Sequence, residues 1–341
     1  MKPDLRFGVV YDFRNPTQSG VDNPSFYAEI LDQAVWLEGL GLDLVWFTEH
    51  HFVEDGYLPS WIPVATAMAA RTEKLRFSSD ISILPLYHPV RLAEDLAVAD
   101  NLSNGRIDLG IGLGYVPRDF AGYGLTVPQR VSYTDEGLEI LTRCFRGERF
   151  SFEGRRYRVE DVQIKPDYVL PGGPPLWVAA SSREGALRAA RFDAHLLPQG
   201  PYDTTIKVWR DELQATGRDP ADYRVGIIKP VFVTDDRERD WPAIRAAEQY
   251  RMEYYADAFR ASVRSAPSPD KDRERISQNW LVGDVEHCVT ALTAYIREFG
   301  FTDLVTWAVP PGLRPDAVEA SLHKLATEVV PRVKEAARKC P

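Results

Sequence analysis

KLRFSSDISILPLYHPVRLAEDLAVADNLSNGRIDLGIGLG, Lys74 to Gly114, decides the fold. Its opening, Lys74 to Leu84, reads as a strand. His88-Pro89 opens a helix, because a proline in the first turn has no amide left to satisfy. Leu92, Leu96 and Ala99 share one face of that helix, and Asn104-Gly105 stops it. Arg106 to Gly114 returns as a second strand. A strand, a crossover helix and another strand make parallel neighbours in one sheet.

The same alternation extends both ways. Upstream, Leu5 to Phe13 reads as a strand. A helix follows, with Asn23 as its cap, Pro24 in the first turn, Phe26, Ile30, Ala34 and Leu37 at helical spacing, and Gly39 and Gly41 at its end. Leu42 to His50 is a strand and Trp61 to Arg71 a helix. Downstream, a helix covers Arg130 to Phe145. Residues 148 to 173 break the rhythm: SFEGRRYRVEDVQI resembles a hairpin insertion and DYVLPGGPP a loop.

Alternation resumes with strands PLWVAAS, AHLLP, YRVGIIKPVFVT and TDLVTWAV, separated by helices. Arg237 starts a long helix, and Asp284 caps a further helix. The last helix carries Val318, Leu322, Leu325 and Val329 on one face. The polar, charged stretch at about 263–280 reads as a mobile lid. About eight strand–helix units without a linker predict a (β/α)₈ TIM barrel with insertions, one domain over residues 1–341. A doubly wound open sheet would carry a glycine fingerprint after its first strand, and none follows here.

Composition narrows the function. The 341 residues hold 41 Lys+Arg against 50 Asp+Glu, and the resulting charge of −9 argues against a nucleic-acid backbone partner. A 44% hydrophobic share with 27% charged residues supports a large core and excludes a disordered chain. No apolar run approaches the roughly 20 residues of a membrane span. Cys144, Cys288 and Cys340 form no CxxC pair, which suits a reducing cytoplasm and gives no metal-ligand spacing.

Four places carry candidate chemistry. Glu49-His50-His51 ends the second strand, where barrels place active-site groups. Adjacent residues of an extended chain face opposite ways, so His50 and His51 cannot both serve one centre, and an imidazole there could move protons. Gly110, Gly112 and Gly114 either let backbone approach a flat ligand or relieve crowding at a strand end. Ala180-Ser181-Ser182-Arg183 joins a strand to a helix; either serine can cap, and the free amides with Arg183 can receive an anion. Aromatic residues, including Phe52, Tyr57, Trp61, Tyr87, Tyr115 and Tyr123, crowd the same end and suit an apolar organic substrate.

In order along the chain, FTEHHF, the stretch from Ser78 to Gly124, PLWVAASSREGALRAARFDAHLLP and the tail from Val282 resemble the bacterial luciferase-like family of flavin-dependent monooxygenases. The resemblance implies a (β/α)₈ barrel that binds flavin at its C-terminal face, and it matches His50 to the family's catalytic histidine. Glu49 and His51 belong to the same motif. Asp80–Ile81 matches a non-prolyl cis peptide beneath the flavin ring, and Ser181 a serine near the flavin phosphate. Where luciferases have an arginine after the fourth strand this chain has Leu113, followed by Gly114. Phosphate contacts then fall to Ser181–Arg183 or to Arg130. Ala180 replaces an acid.

The resemblance implies reduced FMN delivered by a separate flavin reductase, O2, a small-molecule substrate and a homodimer. Part of the family uses a deazaflavin and transfers hydride, which is the alternative. A non-catalytic flavin-binding subunit would not need the Glu49-His50-His51 motif. A barrel metal hydrolase or aldolase would need an HxH or a strand lysine.

Overall fold

The computed structural model describes residues 3–262 and 280–339. Strands β1 (Arg6–Tyr11), β2 (Leu44–Phe47) and β3 (Arg76–Ser79) pair in parallel. The third strand then breaks at residues 80 and 81 and continues as β4 (Ser82–Ile83), which pairs with β5 (Leu109–Gly112). A hairpin of β6 (Phe150–Glu153) and β7 (Arg158–Val162) follows. Strands β8 (Leu176–Ala180) and β9 (His195–Pro198) extend from β5. The seventh strand is also split, into β10 (Gly226–Ile228) and β11 (Val231–Val233), around Lys229-Pro230. An unexpected short strand, β12 (Leu281–Gly283), pairs with β11, and β13 (Asp303–Trp307) lies between β10 and β1.

Bridges Phe77–Ile107 and Leu196–Val225 join the remaining edges, so eight parallel strand positions close into the expected barrel. Gly226 shows how tightly it closes. A Cβ there would lie 2.5 Å from Trp46 and 3.1 Å from Trp177, two rings that meet edge to face inside the barrel. At the N-terminal end, fully buried Asp303 is held by Arg6 Nε at 2.5 Å and Arg224 Nη1 at 2.9 Å.

Helices α1 (Asn23–Gly39), α2 (Trp61–Ala69) and α3 (Pro89–Ser103) cover the first strands. Asp22, not Asn23, caps α1: its carboxylate accepts from Ser25 N, and Asn23 is already inside the first turn. A short helix, α4 (Pro117–Gly122), follows β5 and precedes α5 (Arg130–Phe145). Helices α6 (Arg183–Arg191), α7 (Tyr202–Ala215), α8 (Arg237–Ser262) and α9 (Val285–Phe299) continue the ring. The last helix is α10 (Asp316–Lys324) and α11 (Val330–Arg338) joined by a π-helical segment, Leu325–Val329, that keeps Val318, Leu322, Leu325 and Val329 buried. No described helix is long and apolar enough to cross a membrane. The lid expected at 263–280 lies outside the described residues except for Trp280.

Helix α8 leans over the C-terminal end of the barrel through one buried cation. Arg251, 1% exposed, donates to Asp12 Oδ2 at 3.0 Å, Glu248 Oε2 at 2.5 Å and Val309 O at 3.3 Å, and its guanidinium lies 3.7 Å from the centre of the Trp307 ring. Two carboxylates that meet in the interior need that charge. Arg251→Met should therefore destabilise by about 3–5 kcal/mol, read as a lower denaturant midpoint. An unchanged midpoint would show that Arg251 does not anchor α8.

Candidate functional site

The expected residues gather where the strands end. Thr48 to His51 leave β2, Asp80 sits at the break between β3 and β4, Leu113 to Tyr115 leave β5, Ser181 leaves β8 and Gln199 leaves β9. In a barrel these are neighbouring positions around one mouth.

His50 stands within it, 7% exposed, with its ring edge to face against Tyr57 at 4.9 Å and Tyr254 at 5.3 Å. Tyr115 and Tyr255 complete the surround at 5.9 and 6.0 Å. Tyr254 and Tyr255 come from α8, so the anchoring by Arg251 carries them to the site. Tyr57 is itself pinned: its hydroxyl donates to Thr48 Oγ1 at 2.7 Å and lies 2.7 Å from that of Tyr255. His50 Nδ1 lies 2.9 Å from Asp119 Oδ2. Asp119 is fully buried on α4. A carboxylate accepts only, so Nδ1 carries the proton and Nε2 is the basic nitrogen. Nε2 has no hydrogen-bond partner among the described residues. Asp119 was not foreseen, because it lies 69 positions from His50 in the sequence.

Its neighbours face elsewhere. Glu49 Oε1 meets His51 Nε2 at 3.1 Å and accepts from Ile83 N at 3.3 Å, while Glu49 Oε2 accepts from the Tyr87 hydroxyl. His51 Nδ1 lies 3.3 Å from the Tyr123 hydroxyl. Both nitrogens of His51 are thus engaged by the protein, and Glu49 ties β2 to β4. The expected division between the two histidines is present: one turns into the mouth and one into the frame.

The peptide bond Asp80–Ile81 is cis. The corner around it is braced. Ser79 Oγ donates to Gly110 O at 2.7 Å and lies 2.9 Å from Ser82 Oγ, which accepts from Trp61 Nε1 at 2.7 Å. Asp80 N donates to Phe47 O at 2.7 Å. The Asp80 carboxyl is 8% exposed and accepts from Gln199 Nε2 at 3.2 Å; burial pushes its pKa up to about 7.

The glycines beside this corner make room for the protein itself. A Cβ at Gly110 would lie 1.9 Å from Ser79 O, one at Gly112 2.7 Å from Ile81 Cδ1, and one at Gly114 2.5 Å from Ile83 Cγ2. Relief of crowding against the third strand is thus one reason for glycine at all three positions. Leu113 remains half-buried between them. After β8, Ala180 is 3% exposed, and Ser182 rather than Ser181 caps α6, accepting from Gly185 N at 3.2 Å. Ser181 and Arg183 are exposed. Arg130, the other expected cation, is half-buried at the start of α5 and donates to Val127 O at 3.3 Å.

Among the described residues no cluster of three or more His, Cys, Asp or Glu is placed to hold a metal ion. A cavity of about 870 Å³ opens at the opposite end of the barrel, lined by Arg6, Asp43, Arg210, Tyr223 and Lys334 among others. It shares no residue with the strand-end cluster.

Because Asp80 binds its proton more tightly folded than its ordinary carboxylate value allows, the folded state is favoured at low pH and loses that advantage as pH rises from about 4 to about 7. The slope is up to about 1.4 kcal/mol per pH unit. Asp80→Asn should flatten that segment of the stability profile, measured by denaturation at successive pH values. Parallel profiles for the two proteins would contradict the raised proton affinity.

A model of luciferase-like monooxygenases matches residues 5–303. Among curated relatives, the uncharacterised protein y4vJ of Sinorhizobium fredii is 27% identical over 212 residues, 60% of each chain, so the present chain spans about three fifths of that relative. The 4-hydroxyprotoasukamycin monooxygenase of Streptomyces nodosus subsp. asukaensis is 26% identical, over 89% of this chain and 85% of that one. The F420-dependent glucose-6-phosphate dehydrogenase of Kineococcus radiotolerans is 27% identical, over 81% and 86%. The crystal structure of monooxygenase RslO1 from Streptomyces bottropensis superposes with a TM-score of 0.80 at 25% identity, covering 96% of this chain and 99% of that one. The FMN complex of the oxygenating constituent of 3,6-diketocamphane monooxygenase from Pseudomonas putida gives 0.79 at 18%, covering 96% and 98%. With the sequence match running through nearly every strand of the barrel, the chain belongs to the luciferase-like monooxygenase family.

Proposed function

We propose that the protein is a flavin-dependent monooxygenase that takes reduced FMN from a separate reductase, with O2, and oxygenates a largely apolar organic substrate. The observation that carries this reading is His50, fixed through Nδ1 by Asp119 and presenting Nε2 to an aromatic mouth.

The residues present fit such a cofactor. Small Ala179, on the same inward face of β8 as Trp177, and the cis Asp80–Ile81 corner suit a flat ring, and the exposed Ser181 and Arg183 at the start of α6 suit a phosphate. Leu113 can add an apolar edge. Bound there, the reduced ring would supply the electrons that activate oxygen. The protein supplies the rest. Asp119 keeps the His50 ring in one tautomer, so that Nε2 can take a proton and return it. Tyr57, Tyr115, Tyr254 and Tyr255 hold the ring in place and limit water around it. Glu49 and His51 act as positioning residues, because their polar atoms are spent on the frame.

The second reading is a deazaflavin-dependent oxidoreductase, supported by the F420-dependent dehydrogenase among the relatives and by leucine in place of the family arginine. His50 would then be acid or base to hydride transfer. Anaerobic titration with reduced FMN and with reduced F420, followed by mixing with oxygen, separates the two. Tight FMN binding and a transient oxygen-dependent absorbance are expected; selective F420 binding without that transient would overturn the FMN reading. His50→Ala should leave reduced-cofactor affinity nearly unchanged and lower turnover, on a substrate found by screening, by about 10²–10⁴-fold. Lost cofactor binding in a folded variant would assign His50 to binding instead.

A further inference from the structure

The Asp80 carboxyl has an unusual place. It belongs to the third strand, yet its partner, Gln199, follows the sixth, 119 residues away, and the ends of β5 and β8 stand between them in the ring. Gln199 is fixed from behind, its N–H donating to Ala180 O at 2.8 Å. The clasp therefore lies across the mouth beside the cis corner and the small Ala179, which shares the inward face of β8 with Trp177. Other buried acids of this end have a cation or imidazole: Asp12 and Glu248 have Arg251, Asp55 has Arg14, Glu49 has His51 and Asp119 has His50. Among the described residues Asp80 has only the neutral amide, and no charged side chain acts on it. Tyr202 of α7 is a titratable group that senses it: burial makes its phenol harder to ionise, and Asp80 adds to that. Since Gln199 donates to Oδ1, the proton of the neutral acid belongs on Oδ2, which has no partner among the described residues.

We propose that Asp80 selects the charge of the cofactor ring: the neutral acid, clasped by Gln199, donates through Oδ2 to a reduced ring that carries negative charge, and the ionised acid repels it. The inference rests on the flavin or deazaflavin reading of the same site. An acid with a countercharge would stay ionised and exclude an anion at all working pH values. One braced by an amide in a poorly solvated site can hold its proton until neutrality. The mouth then accepts the reduced anionic ring in preference to an additional negative charge on the protein itself.

The test is the affinity of the full chain for reduced FMN and for reduced F420, measured anaerobically from pH 6 to 9 in wild type, Asp80→Asn and Asp80→Ala. The cofactor's own ionisations are common to all three. Relative to Asp80→Asn, wild-type affinity should fall about tenfold per pH unit above the point where Asp80 ionises. Asp80→Ala should bind more weakly than Asp80→Asn throughout, having lost the donor. A wild-type to Asn ratio constant with pH overturns the inference while leaving the flavin reading intact. Failure of both reduced cofactors to bind any of the three folded proteins overturns the flavin reading and the inference with it. A readout without cofactor separates these further. The infrared carbonyl band of a protonated acid, taken as wild type minus Asp80→Asn, should be present at pH 6 and vanish by pH 9. Its absence at pH 6 overturns the inference even if flavin binds.

Discussion

A charge taken out of water at the mouth of a barrel must meet its partner inside the protein, and this constraint organises the C-terminal face. Arg251 between Asp12 and Glu248 pulls α8 down onto the strand ends. Arg14 is clasped to Asp55 at 2.7 Å and lies against the rings of Tyr250 and Tyr254 at 4.8 and 5.0 Å, and the Tyr250 hydroxyl donates to the same carboxylate at 2.9 Å. These pairs are worth little as net stabilisation, since each ion loses its hydration. Their value is geometric. They leave the aromatic residues of α8 few alternative positions, and those residues in turn set the orientation of His50.

The same constraint explains why two adjacent histidines have different roles. His51 is walled in by Glu49 and Tyr123, so either tautomer finds a partner in the frame. His50 has a partner on one side only. Asp119 Oδ1 is buried without a hydrogen bond among the described residues. An unshared buried oxygen is costly, so the bond to His50 Nδ1 is the one side-chain hydrogen bond Asp119 has among the described residues. Glu49, His51 and Tyr57, whose polar atoms are paired within the protein, thus frame His50, whose Nε2 has capacity left over.

Much of the barrel was legible in the sequence because its signals are local. Pro89 and Asn104 bound α3, Arg130 to Phe145 form α5 as expected, Asp284 caps α9, and β6 and β7 form a hairpin. What was missed depends on distant atoms. The third strand reads as one apolar run, and only the bracing by Ser82, Gly110 and Trp61 turns it at residues 80 and 81. The seventh strand is interrupted at Pro230, which has no amide for the ladder. Helix α4 is six residues long, too short for a periodic signal. At the site, the Glu49-His50-His51 motif pointed to the mouth, whereas Asp119 and Gln199 could be found only from contacts 69 and 119 residues apart. The glycines of the fourth strand had two readings, and the third strand's own atoms make crowding one reason for them.

Cofactor choice on this barrel is then a question of electrostatics rather than of shape. A ring at the proposed site would meet aromatic and aliphatic walls that suit flavin and deazaflavin alike. Steric fit discriminates poorly between isosteres, whereas a buried polar group discriminates through its own unmet hydrogen bond. The polar atoms available at the edge of such a ring are those of Asp80, Gln199 and His50 Nε2. The cations expected to reach a phosphate, Arg183 and Arg130, stand off the floor, one exposed and one half-buried. On the proposed reading, positive charge would act on the tail of the ligand and neutral donors on its ring. A multiply charged molecule would then be held by one end, with the protonation of its reactive end left to His50 and Asp80.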